Sequence, residues 1–315
     1  MLRTRVTFIL AVLLTLLTGY LTAEPEFSDW SVPVNLGAVV NSAFNDQAPG
    51  ISKNGLSLYF TSDRPGGFGT NDLWVSQRES TDDPWGTPVN LGGVINTSAT
   101  EWRPSLSRDE HWLIYSSNRV GGNVPGLDIW ASYREHIHDD FGWQVPVNIG
   151  RNGINLRNSQ NNASYLENDD AGIPQLFVAS NITGGPGGFD LYVSEPLPSG
   201  DWGPLSLIPE LSTNQNEIHV SVRFDGLEIF FARGIPPAGF DLWTSARKTV
   251  LDPWSDPVNL GPLVNSATLD EGPHIAPDRR TLYFDSTRAG GSGGRDLWVT
   301  TRTKDNRGKA GKSER

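Results

Sequence analysis

The residues of this 315-residue chain best suited to chemistry are carboxylates that return at one repeated position. Asp46, Glu101 and Asp270 stand three residues ahead of Pro49, Pro104 and Pro273; the same alignment brings in Asn161 and Glu217, and Glu271 follows Asp270 directly. If the segments carrying them surround a common axis, four acids and one amide gather at one mouth of it. At separations of about 8 Å each unscreened pair repels by roughly 0.5–2 kcal/mol, depending on the effective dielectric. A cation would relieve that repulsion, and ligands that are all oxygen favour calcium, held by Asp46, Glu101, Glu217 and Asp270. The competing structural reading is that each acid accepts hydrogen bonds from its neighbouring loop, which suits a position recurring in every repeat. Trp102 stands where its counterparts are Gln47, Asn162, Ile218 and Glu271; its aromatic face could stack on a sugar or a side chain at the same mouth, and local packing is the simpler reading.

Other chemistries are poorly represented. Cysteine is absent, which excludes disulfides, thiolate metal sites and a cysteine nucleophile. The Gly-Gly loops lack the Lys-Ser/Thr of a phosphate cradle, and no serine-hydrolase elbow is present. His136-Ile137-His138-Asp139-Asp140 is the one histidine cluster, and a solvated loop is its simplest reading. The body, 24–302, carries a net charge of −16: the chain is at −11, 1–23 contributes two arginines, and 303–315 has five bases against two acids. Such a surface repels polyphosphates and argues against nucleic acid.

The elements that must position these residues repeat. Asp72-Leu73-Trp74 returns as Asp128-Ile129-Trp130, Asp190-Leu191-Tyr192, Asp241-Leu242-Trp243 and Asp296-Leu297-Trp298, at spacings of 56, 62, 51 and 55 residues. Each copy holds four short β-rich runs; in the second they are 101–107, 112–117, 127–133 and 143–149. Tight Asn-Gly or Asp-Gly turns join the first two runs in copies one and four. A period near 50 residues with four strands per copy predicts an all-β, five-bladed β-propeller. The outer-strand signal, Trp followed by Pro-Val-Asn-Leu-Gly in its fullest form, first appears at Trp30, ahead of every other strand. The run 30–36 is therefore expected to close the ring by joining the last blade, with Trp30 wedged against the neighbouring blade. Residues 1–23, with Arg3, Arg5 and the apolar run from Val6 to Leu17, read as a cleaved signal peptide. The tail 303–315 reads as disordered, and no span follows the signal, so a periplasmic or secreted chain is expected.

Pro49-Gly50-Ile51-Ser52-Lys53-Asn54-Gly55 with Leu58-Tyr59-Phe60-Thr61-Ser62-Asp63-Arg64 resembles the WD-repeat-like motif of TolB-type β-propellers, as does Pro273–Asp278 with Leu282–Arg288. The resemblance covers nearly all of 24–302. Copy three departs from it, with Ile182 where copies one, two and five have Arg64, Arg119 and Arg288, and copy four loses its Gly-Gly pair. The extra α/β domain of TolB itself has no counterpart. The resemblance implies an exported, non-enzymatic propeller; a monomeric binding module for a protein or a cell-envelope polysaccharide or peptidoglycan-associated partner is expected. The alternative is a five-bladed glycoside hydrolase using Glu101, Glu217 and Asp270 at the channel mouth.

Overall fold

The computed structural model describes residues 27–122, 126–151, 153–155, 160–167 and 173–304. The expected signal peptide and nearly all of the basic tail lie outside the described residues. Phe27, Ser28 and Lys304 belong to a small terminal unit, in which Phe27 and Lys304 form an antiparallel bridge. The other unit, Asp29–Thr303, contains every strand.

The expected architecture is present: five antiparallel sheets of four strands each. Blade 1 is β2 (Asp46–Ile51), β3 (Ser57–Ser62), β4 (Asp72–Gln77) and β5 (Val89–Asn90). Blade 2 is β6 (Glu101–Leu106), β7 (Trp112–Ser117), β8 (Asp128–Tyr133) and β9 (Val147–Asn148). Blade 3 is β10 (Gln160–Leu166), β11 (Gln175–Ser180), β12 (Asp190–Ser194) and β13 (Ser206–Leu207). Blade 4 is β14 (Asn216–Val222), β15 (Glu228–Ile235), β16 (Gly239–Ala246) and β17 (Val258–Asn259). In blade 5, β18 (Asp270–Ile275), β19 (Thr281–Ser286) and β20 (Asp296–Thr301) are completed by β1 (Val34–Asn35) from the other end of the chain. Val34 pairs with Val299 and Asn35 with Trp298, while the Ser31 and Leu36 amides reach Thr301 O and Leu297 O. Only two residues of each outer run are regular strand. The tryptophan ahead of it serves as a wedge: Trp30 meets Phe230 of blade 4 edge-on, with ring centres 5.9 Å apart.

Each sheet is apolar on both faces, as runs such as Leu58-Tyr59-Phe60 and Leu282-Tyr283-Phe284 require. The core is consequently five separate clusters, one between each pair of neighbouring blades; Tyr59, Leu73 and Val75 of blade 1, for example, pack with Leu113, Tyr115 and Trp130 of blade 2. Loops are pinned by side chains. Asn96 Oδ1 accepts the Leu73 amide at 2.8 Å and its Nδ2 donates to Leu73 O at 2.9 Å, and Asn41, Asn155 and Asn265 repeat the device. In blades 1, 3 and 5 the aspartate that opens the third strand caps the turn before it: Asp72 accepts the Phe68 and Gly69 amides, Asp190 that of Gly187, and Asp296 those of Ser292 and Gly293.

Candidate functional site

The innermost strands do surround one axis, but Asp46, Glu101, Glu217 and Asp270 do not meet there. All four are fully buried inside their own blades. Each accepts the amide and hydroxyl of a Ser or Thr four residues upstream: Ser42, Thr97, Thr213 and Ser266. Each is then paired to an arginine at the end of the blade's second strand or in the loop after it: Asp46 to Arg64 (2.5 Å), Glu101 to Arg119 (3.1 Å), Glu217 to Arg233 (2.8 Å) and Asp270 to Arg288 (2.5 Å). Those guanidiniums also lie 4.7–5.3 Å over Trp74, Trp130, Trp243 and Trp298. The donor set does not fit calcium, because a cation of the chain's own already neutralises each carboxylate and the four are kept apart. This is the hydrogen-bonded strut geometry. Among the described residues no group of three or more His, Asp or Glu is arranged to hold a metal.

Blade 3 shifts the alignment by one residue. Gln160 pairs with Ser180, as Asp46 pairs with Ser62 and Glu101 with Ser117, so Gln160 and not Asn161 is the counterpart of the acids. Where Ile182 replaces the arginine, an amide replaces the carboxylate. A buried carboxylate without its guanidinium would cost several kcal/mol, and a neutral amide avoids that cost.

What converges on the axis is the next two positions along each inner strand. Register shifts in β2, β6, β14 and β18 place Ala48, Arg103, His219 and Gly272 at φ of 53, 63, 60 and 59°, turning their amides sideways. The Ala48 amide donates to Asp285 Oδ1 (2.9 Å), that of Arg103 to Thr61 Oγ1 (3.0 Å) and that of Gly272 to His219 Nδ1 (3.1 Å). Two of the expected residues are here. Trp102 lies under the Arg103 guanidinium at 4.5 Å, and Arg103 Nε donates to Asn161 Oδ1 at 2.9 Å. Opposite them, Glu271 Oε2 and Asp285 Oδ2 share one nitrogen, Arg295 Nη1, at 2.6 and 3.0 Å. Of the carboxylates expected at the mouth, only Glu271 reaches it.

Sequence reasoning missed Arg103, Asp285 and Arg295. The available signal was their departure from the repeat. Asp285 stands where the other blades have Thr61, Ser116, Ala179 and Ala232, and Arg295 where they have Asn71, Leu127, Phe189 and Phe240.

Burial raises the pKa of Glu271, opposed by Arg295, so this carboxyl keeps its proton to higher pH than an ordinary glutamate. Burial pushes Arg103 down to about 9, with Glu271 and Asp285 pulling the other way; it stays charged at neutral pH. Burial, then Arg103 and Arg295, depress His219 well below its usual value, and burial alone takes His274 to about 4. Both histidines line an axial cavity of about 20 Å³, room for one water. As pH falls below about 6.5 the unfolded chain takes up these protons before the folded one does. Stability is therefore lost between about pH 6.5 and 4, at up to about 1.4 kcal/mol per pH unit for each histidine. The raised carboxyls of Glu217 and Glu271 act with the opposite sign and offset part of the loss. Urea unfolding at about pH 7 and about pH 4.5 should show the decline, and His274→Gln should make it shallower; an unchanged slope would remove His274 as its source.

No protein-family model and no curated protein matches the chain. Solved structures do share its fold. An α-L-arabinofuranosidase from Podospora anserina, crystallised with cellotriose, is 13% identical with a TM-score of 0.60, over 89% of this chain and 98% of that one. A thermostable family-43 glycoside hydrolase is 14% identical with a TM-score of 0.57, over 85% and 91%. An endo-arabinase from Bacteroides thetaiotaomicron is 12% identical with a TM-score of 0.55, over 89% and 99%. These neighbours overturn the resemblance to TolB-type propellers, and with it the non-enzymatic binding module that the resemblance implied. The motif that suggested it encodes a tight inner hairpin and a loop arginine, which serve any four-stranded blade. At these identities the likeness establishes one thing, a five-bladed propeller of the form that glycoside hydrolases also use.

Proposed function

We propose that the chain hydrolyses glycosidic bonds at the axial mouth. The observation that carries this reading is the pair Glu271 and Asp285, two carboxyl groups joined through one Arg295 nitrogen at a point where the repeat is broken. Such hydrolysis needs two carboxyls in unlike environments, one protonated to serve as acid and one ionised. Glu271, with its raised pKa, suits the acid that protonates the leaving oxygen. Asp285, whose Oδ1 accepts the Ala48 amide and whose Oδ2 accepts from Arg295, suits the second carboxyl of the pair. Trp102 supplies an aromatic face and Asn161 an amide across the axis from them. The hydrolases that share the fold support the same class of reaction, and the earlier candidates Glu101, Glu217 and Asp270 give way to this pair.

The substrate class follows the same reading: a neutral polysaccharide, met outside the cytoplasm after removal of 1–23. The chain purified from periplasm or medium, beginning near Glu24 by intact mass, should release reducing sugar from one of arabinan, arabinoxylan or xylan. Glu271→Gln and Asp285→Asn should each lower that rate at least about a hundredfold while leaving the fold intact. Activity that survives both substitutions would sink the assignment, as would no release from any of the glycans.

A further inference from the structure

Four of the five blade interfaces fill the same space in the same way. The wedge tryptophan of one blade meets an aromatic ring on the second strand of the blade before it: Trp143 with Tyr59 (6.3 Å, 72°), Trp254 with Phe177 (6.2 Å, 76°) and Trp30 with Phe230 (5.9 Å, 78°). Trp85 shares its cluster with Tyr283. A guanidinium covers the wedge as well: Arg78 over Trp85 and Arg247 over Trp254 at 4.2 Å, Arg134 over Trp143 and Arg302 over Trp30 at 4.5 Å.

Among the described residues, the interface between blades 2 and 3 lacks both. On the β7 position that carries the ring elsewhere stands Ile114, and its neighbour on β8 is Ala131, where the other blades have Val75, Val193, Thr244 and Val299. The arginine position, six residues after the blade's aspartate, is Pro196. Left without either neighbour, Trp202 turns to Tyr165 of its own blade, edge-on at 6.0 Å and 90°. The missing volume is a slot of about 380 Å³, within the usual size of a small-molecule site. Ile114 and Ala131 line it, Trp112, Tyr165 and Trp202 add three aromatic side chains, and Arg151 and Asp201 stand exposed on its lining. Trp112, edge-on to Tyr133 at 5.2 Å, still keeps 39% of its surface exposed beside an open pocket. Burial holds the Tyr165 pKa up at about 12, so its hydroxyl remains a donor.

The geometry points to a second ligand site in this slot, separate from the axis, that takes one sugar residue of a neutral glycan. Flat aromatic faces match the C–H face of a sugar ring, and a carboxylate, a guanidinium and a phenol match its ring of hydroxyls. The choice of a sugar rests on the hydrolase reading, whereas the slot itself does not.

Ile114→Phe restores the residue type that the other interfaces use and should fill the slot, raising the melting temperature. Trp112→Ala removes an exposed ring without touching the packed core. Calorimetric titration of xylotriose, with Glu271→Gln as the background to prevent turnover, should show binding that weakens at least tenfold in both variants. Hydrolysis of a small chromogenic glycoside should be unchanged when Ile114→Phe or Trp112→Ala is made alone. Equal xylotriose affinity with and without the two substitutions would overturn the proposal, and so would no xylotriose binding at all. Binding of p-cresol but not xylotriose would make the slot an aromatic site and overturn the sugar assignment. If the protein hydrolyses no glycan yet loses xylotriose with Ile114→Phe, the slot stands and the hydrolase reading falls.

Discussion

Deletion of residues 24–36 is expected to open the ring and to cost more stability than any single substitution. The segment supplies β1, which covers the edge of β20 through Val34 and Asn35, and it supplies Trp30. Replacing a buried Trp by Ala costs about 3–5 kcal/mol, and Trp30, only partly buried, should sit at the lower end. Its loss also uncovers Phe230 and leaves the Arg302 guanidinium without the ring beneath it. Removing the strand as well leaves a backbone edge unpaired, which invites association between chains. The total approaches the roughly 5–15 kcal/mol that holds a domain folded. The truncated chain should therefore melt at least about 10 °C lower, or be recovered as aggregate, whereas removal of 305–315 should change little. Equal melting of the two truncations would show that the clasp does not carry the ring.

Arg119→Met should be the most damaging single change among the loop arginines. Arg119 reaches Glu101 at 3.1 Å, donates to Ile95 O, and lies 5.1 and 5.2 Å over Tyr115 and Trp130. Glu101 would keep Thr97 and Ser117 as donors but would be a buried charge without a counter-ion. Breaking a buried pair from one side costs about 3–5 kcal/mol. Adding Glu101→Gln should return part of it, because the amide needs no counter-charge. Blade 3 already carries that combination in Gln160 and Ile182. Denaturant unfolding of the two single variants and the double gives the coupling directly. A double variant as unstable as the sum of the singles would mean that the arginine acts through its stacking on Trp130 and not through Glu101.

These struts show why a repeated acid was hard to interpret from the sequence. Recurrence at four of the five inner strands is what packing demands of a buried carboxylate with a local arginine, whereas the proposed reaction centre lies where recurrence fails. Asp285, Arg295 and Arg103 are such failures, and each reads as an ordinary substitution within one copy of the repeat until the ring brings the copies face to face.

The sequence by itself determined the blade. The Asp-Leu-Trp period, the tight Asn-Gly and Asp-Gly turns and the double-faced apolar runs are local, and local patterns dictate local pairing. It also determined the closure, since a first outer strand with no blade and a last blade with no outer strand leave one economical pairing. Only the tertiary structure decided which side chains meet at the axis. Glu271, Asp285, Arg295, Arg103 and Asn161 come from three different blades, and the inner-strand register shifts that aim Glu271, Arg103 and Asn161 leave no mark in periodicity. The slot between blades 2 and 3 was likewise invisible in the chain, because an isoleucine and an alanine are unremarkable in a strand. They leave a space only because Trp202 arrives beside them from the next blade.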